Sequence, residues 1–78
     1  MRLAIYSIQK SIFEGEVKKL IARTSMGEIT VLDNHIPLVS TLVGPSLSTI
    51  DKNGKKDIIP VSSGIIEVRP GSEVVVLA

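Results

Sequence analysis

His35 is the only histidine in the chain, and Asp33 stands two positions before it. Side chains two apart share one side of an extended segment. That is the spacing at which a carboxylate can orient a histidine acting as general base. The pair still needs a nucleophile, and none of the serines lies in the strand-to-helix elbow that exposes one. Without a full constellation, His35 reads as a turn residue that is solvated or bonded to a backbone group, and the chain reads as having no catalytic residues. A metal centre needs three or four converging ligands. One histidine, no cysteine and scattered carboxylates do not supply them. Glu14 and Glu16 flank Gly15 as a second carboxylate pair, and read as charges on a sheet edge that block unwanted strand pairing. No glycine-rich loop runs into Lys followed by Ser or Thr, so no phosphate cradle is present. No cofactor is expected.

The elements that must position His35 are two apolar runs, Ile29 to Leu32 and Leu38 to Val43. They read as two strands joined by the polar tip Asp33-Asn34-His35. Pro37 closes the tip, because its ring fixes φ and drives Ile36 towards an extended conformation. Gly27 and Gly44 bracket the unit and permit backbone angles that other residues resist. Ile36 is an apolar residue beside a polar tip. It either tucks under its own loop or marks a contact site.

Alternation of apolar and polar residues extends the same reading along the chain. Arg2 to Ile8 is a strand with Leu3 and Ile5 on one face. Gln9 to Ser11 is a polar break, and Glu14-Gly15-Glu16 a turn or bulge. Val17 to Thr24 is a strand with Leu20 and Ala22 on one face. Its continuous Leu20-Ile21-Ala22 run suits a strand covered on both sides or one passing a sheet corner. Pro45 to Asp51 and Lys56 to Val61 flank Asn53-Gly54, which predicts a type I′ hairpin turn. Pro60 predicts an edge strand. Ser62 to Gly64 is a kink, Ile65 to Arg69 a strand, Pro70-Gly71 a turn, and Val74 to Leu77 a final strand tied into a sheet. Eight or nine short strands without a helix predict an all-β fold, a flattened antiparallel sandwich or barrel.

A chain of 78 residues holds one small domain, residues 1–78, with a single core. The absence of cysteine leaves that core to packing alone. A net charge of +1 and only two aromatic residues, Tyr6 and Phe13, argue against the basic, stacking surface of a nucleic-acid binder. No apolar run has transmembrane length, and the first residues lack a signal-peptide pattern. A soluble, intracellular interaction module is the expectation. One residue-level alternative is a free-standing β-barrel that binds a ligand or oligonucleotide.

Five motifs occur in order: Phe13-Glu14-Gly15-Glu16-Val17, Gly27-Glu28-Ile29, Asn34-His35-Ile36-Pro37-Leu38, Ser63 to Val68 with Pro70-Gly71, and Val75 to Ala78. Together they resemble the N-terminal β-sandwich domain of the F-type ATP synthase epsilon subunit. The resemblance implies a non-catalytic rotor subunit of the central stalk, which couples the gamma subunit to the c-ring during ATP synthesis driven by protons or sodium ions. It implies a peripheral place on the cytoplasmic face of the membrane, reached through the complex. By matching position, Glu28 and His35 fall in the region that meets the gamma subunit and c-ring, as do Ser7, Ile36 and Ser40. Three features depart from the family pattern. Ile36 replaces a small residue. Thr30, Asn34 and Ser63 stand where glycine is common. The family's C-terminal helical hairpin is not in this sequence.

Overall fold

A computed structural model describes residues 1–78, which form nine β-strands and no helix. The strands are β1 (Arg2–Tyr6), β2 (Ser11–Glu16), β3 (Lys19–Thr24), β4 (Gly27–Val31), β5 (Leu38–Val43), β6 (Ser46–Ile50), β7 (Lys56–Pro60), β8 (Ser63–Arg69) and β9 (Glu73–Leu77). They form one curled sheet in the order β2-β1-β9-β8-β5-β3-β6-β7, with β4 also paired to β3. β5 meets β3 at a single register pair, Thr24 with Leu42. This is the corner where the sheet folds over on itself, so that β2-β1-β9-β8-β5 faces β4-β3-β6-β7.

Period-two patterning decides what lies between the two layers. Leu3 and Ile5 of β1, Leu20 and Ala22 of β3, Leu47 of β6, Ile66 and Val68 of β8, and Val74 and Val76 of β9 all point inward and are buried. Val31, Leu42, Val17, Val61 and Met1 complete the core. The continuous Leu20-Ile21-Ala22 run belongs to the corner strand, and Ile21 is half-buried there.

The all-β class holds, and one pairing within it runs parallel. β1 lies beside β9 in the same direction, so the first and last strands of the chain are neighbours at the centre of one layer. This ties the final strand down on both sides. Pro60 lies on β7 at the sheet's edge, where its missing N–H is not needed.

Four local expectations are corrected. Glu14-Gly15-Glu16 is regular strand, paired with Ala4, Leu3 and Arg2. The bulge lies at Ile12, because Ile5 pairs with Phe13 and Tyr6 with Ser11. The Asn53-Gly54 turn is not type I′, since Gly54 has φ 83° and Asn53 is not at positive φ. Asp51 sets that turn instead. Its carboxylate Oδ1 accepts the backbone N–H groups of Asn53 (2.8 Å) and Lys55 (2.9 Å), and its carbonyl accepts that of Gly54 (3.0 Å). A three-residue loop ending in a left-handed glycine is the geometry that results. Gly44 is not at positive φ either. A Cβ there would lie 2.6 Å from the Val61 carbonyl oxygen, so close approach explains it. Finally, the kink is confined to a bend at Ser62; Ser63 and Gly64 already belong to β8, and a Cβ on Gly64 would run into the Leu77 carbonyl oxygen of β9.

The strand directions give the molecule two ends. The start of β1, the Leu32–Pro37 loop, the Lys52–Gly54 loop and the β8–β9 turn share the Met1 end. The Ser7–Lys10 loop, the Ser25–Met26 turn and Ala78 share the other.

Candidate functional site

β4 and β5 do flank the Asp33–His35 tip, but they do not pair with each other. β4 pairs with β3, and β5 pairs mainly with β8 in the other layer. The loop between them therefore bridges the two layers at the Met1 end. Three contacts hold it. Asn34 sits at φ 63° and donates its backbone N–H to Ser72 Oγ (3.0 Å), while the Ser72 hydroxyl faces Asn34 Oδ1 at 3.4 Å. His35 donates its backbone N–H to the Leu32 carbonyl (3.2 Å). Asp33 Oδ1 lies 2.6 Å from the α-ammonium of Met1.

That ammonium also donates to the Val17 carbonyl (2.9 Å) and lies 3.5 Å from Glu16 Oε2. The hydrogen bond to Asp33 raises its pKa above the ordinary value of 8.0, against the opposing effect of desolvation, with further help from the Asp33 and Glu16 charges. Asp33 is thus engaged by the chain's first residue rather than by His35. The imidazole Nδ1 lies 2.7 Å from the Ile36 carbonyl and donates its proton there. The spacing that suggested a carboxylate-oriented base produces a backbone-bonded turn histidine.

The remaining candidates are spread over the molecule. Ile36, 79% exposed, stands out beside the half-buried His35, with Leu32 exposed nearby. Glu28 is exposed on β4 opposite Arg23, one residue from the hairpin tip at the other end. Four residue steps along extended chain, at about 3.3 Å each, take it to Leu32. Ser7 lies at the Ala78 end, where its hydroxyl accepts the N–H groups of Gln9 and Lys10 (3.4 and 3.3 Å) and donates to the Lys10 carbonyl (3.2 Å). Ser40 pairs with the buried Ile66 and shares the inward face with Leu42. Only His35 and Ile36 are brought together.

A second surface escaped sequence reasoning. On the outer side of β1-β9-β8-β5, Tyr6 lies beside Leu77 and Leu77 beside Ile65. Ala4 lies beside Val75, Val75 beside Glu67, and Glu67 beside Val39. Val39, Ile65 and Leu77 are each about half exposed or more. These residues line a shallow groove of about 340 Å³. Ion pairs and a hydrogen bond rim it: Arg69 pairs with Glu67 (3.1 Å) and Glu73 (3.2 Å), and the Tyr6 hydroxyl donates to Glu14 (3.1 Å). Hydrogen bonding to Glu67, then to Glu73, raises the Arg69 pKa, and bonding to Glu14 raises that of Tyr6. The unbroken Glu73-Val-Val-Val-Leu run is the signal that could have revealed this face, since its alternate residues must point outward.

No group of three or more His, Cys, Asp or Glu side chains converges as a metal site.

The family model described as the beta-sandwich domain of the ATP synthase delta/epsilon chain matches residues 1–78. An ATP synthase epsilon chain of Acinetobacter baumannii is 38% identical over 70 residues, covering 90% of this chain and 50% of the relative. That of Dichelobacter nodosus is 35% identical over 74 residues, covering 95% and 51%. The chain thus spans about half the length of the curated relatives it matches. Among solved structures, a chain of the Euglena gracilis mitochondrial ATP synthase (OSCP/F1/c-ring) superposes with a TM-score of 0.91 at 28% identity, covering 97% of this chain and 48% of that one. A chain from the Tetrahymena thermophila mitochondrial ATP synthase central stalk and c-ring shares the fold, with a TM-score of 0.73 at 13% identity, covering 97% and 60%. With a family match running from Met1 to Ala78 over a sheet of this topology, the chain belongs to the ATP synthase delta/epsilon chain β-sandwich domain family.

Proposed function

We propose that residues 1–78 are a single non-catalytic unit of the central stalk of a proton- or sodium-translocating F-type ATP synthase. In this reading the unit grips the gamma subunit and rests on the c-ring, so that torque passes between ring and catalytic head. The observation that carries the reading is the family match over the whole chain. The geometry supports it. A mechanical coupler needs a rigid frame and exposed grip, and here a closed apolar core carries Ile36 on a loop that bridges the two layers and is tied to Met1 and Ser72 of one of them. His35 and Ile36 form the proposed contact corner, with Glu28 a second point along β4. Ser7 and Ser40 enter on matching position alone. The unit would sit at the membrane's cytoplasmic face through its complex.

A pull-down with the gamma subunit of the same organism is the test. Retention of gamma, and its weakening in Ile36→Asp, is expected; no retention by the unaltered chain would overturn the reading. The net charge of +1 gives an oligonucleotide-binding barrel no support. Titration with short RNA and DNA at low salt is expected to be flat.

A further inference from the structure

The chain holds only two residues other than glycine at positive φ, and they touch each other. Asn34 sits at φ 63° in the tip loop, and Ser72 at φ 58° in the turn between β8 and β9. Asn34 donates its backbone N–H to Ser72 Oγ (3.0 Å), and the Ser72 hydroxyl faces Asn34 Oδ1 (3.4 Å), across 38 positions of sequence. Asparagine visits the left-handed region readily. Serine does not, because its Cβ crowds the backbone there. Glycine takes such an angle without that cost, as Gly71 does one residue earlier at φ 80°. At Ser72 the gain that offsets the strain is the hydroxyl. Ser72 is itself fixed. Its carbonyl accepts the Arg2 N–H at 3.0 Å, and its turn joins two strands that stay paired up to Arg69 and Glu73. The hydroxyl therefore stands at a set place on the end of one layer, against the loop that crosses to the other.

We propose that Ser72 is a positioning residue for the contact corner: its hydroxyl, held out by a strained turn, fixes the place at which the Asp33–Pro37 loop presents His35 and Ile36 to a partner. Ser72 supplies the one side chain from outside that loop that takes one of its backbone N–H groups. The next N–H, that of His35, closes the loop on the Leu32 carbonyl at 3.2 Å and does not touch Ser72. Without the Ser72 oxygen, Asn34 is free to leave its angle, and the His35 bond opens with it. That Ser72 sets the corner follows from the chain's own geometry. That the corner so set grips the gamma subunit rests on the rotor reading.

Two substitutions separate the hydroxyl from the backbone angle. Ser72→Ala removes the oxygen and keeps the strain, whereas Ser72→Gly removes both. Thermal melting is expected to place Ser72→Gly a few degrees above Ser72→Ala. Amide hydrogen exchange at the corner is expected to ignore that order. The His35 amide should exchange about fivefold faster than in the unaltered chain in both variants, while Ile66 in the core stays protected. A role confined to the stability of the turn would make His35 exchange follow melting instead. In the gamma pull-down, Ser72→Gly is expected to retain less gamma than the unaltered chain while fully folded. Unchanged His35 exchange in Ser72→Gly overturns the proposal, as does equal retention of gamma by Ser72→Gly and an unaltered chain that binds it. If the unaltered chain retains no gamma, the rotor reading falls, and His35 exchange alone decides whether Ser72 sets the corner.

Discussion

Asn34 shows how much one residue's backbone angle can carry. It occupies φ 63°, in the left-handed region that costs most L-residues about 1–2 kcal/mol, and asparagine is among the few that visit it readily. The sequence resemblance placed Asn34 where glycine is common, and the angle supplies the reason: both residues tolerate the turn. Asn34→Gly is therefore expected to be near neutral, since only the weak 3.4 Å side-chain contact with Ser72 is lost. Asn34→Ala keeps the N–H bond to Ser72 but meets the steric cost, and is expected to lose about 1 kcal/mol. Urea denaturation of the three chains measures both. His35 teaches the opposite lesson. Its spacing from Asp33 was legible, but its partner was not, because the residue that captures Asp33 lies at the far end of the sequence from any local pattern.

Among the elements, strand existence was readable and strand neighbours were not. Alternation of Leu3 with Ile5, and of Val74 with Val76, marks inward faces directly, because one side of each strand meets the core. Nothing local in β1 says that it lies parallel to β9, and nothing local in the tip says that β4 and β5 part into different layers. Turn type failed at Asn53-Gly54 for a definite reason. The Asp51 carboxylate offers two backbone N–H groups a better acceptor than a two-residue turn would, and the loop lengthens to use it. Asp51→Ala removes both bonds and is expected to cost about 1–2 kcal/mol, read from the denaturation midpoint at unchanged slope. Gly64 is the stiffer test. A methyl there meets the Leu77 carbonyl oxygen of the neighbouring strand, which is backbone and cannot rotate away. Gly64→Ala is expected to cost about 1–3 kcal/mol, with the loss of amide protection concentrated in β8 and β9. Equal protection in the two chains would place the glycine's role elsewhere.

For the molecule as a whole, the strands turn one side to the core and the other outward, and β8 shows the division. Ile66 is fully buried between the layers, while its neighbour Ile65 is 48% exposed on the outer face. A chain of 78 residues without a disulfide is held by roughly 4–12 kcal/mol in all. Ile66→Ala empties part of the core and is expected to remove about 2–5 kcal/mol of that. For a domain this small each kcal/mol shifts Tm by about 4–8 °C, so a fall of at least about 8 °C is expected. Ile65→Ala leaves no cavity and is expected to change stability by less than about 1 kcal/mol. Ile36→Asp, at a corner braced by Asn34 and Asp33 rather than by its own side chain, is expected to leave Tm within a few degrees for the same reason. Ile66→Ala and Ile36→Asp then part company in the gamma pull-down performed well below every Tm. Ile66→Ala should retain gamma in proportion to the fraction still folded. Ile36→Asp should lose it while fully folded, because a carboxylate introduced into an apolar contact must be desolvated without a partner. If Ile36→Asp kept full retention and Ile66→Ala lost it at a temperature where it is folded, the grip would be a property of the core's rigidity, and the Asp33–Pro37 corner would hold nothing but itself.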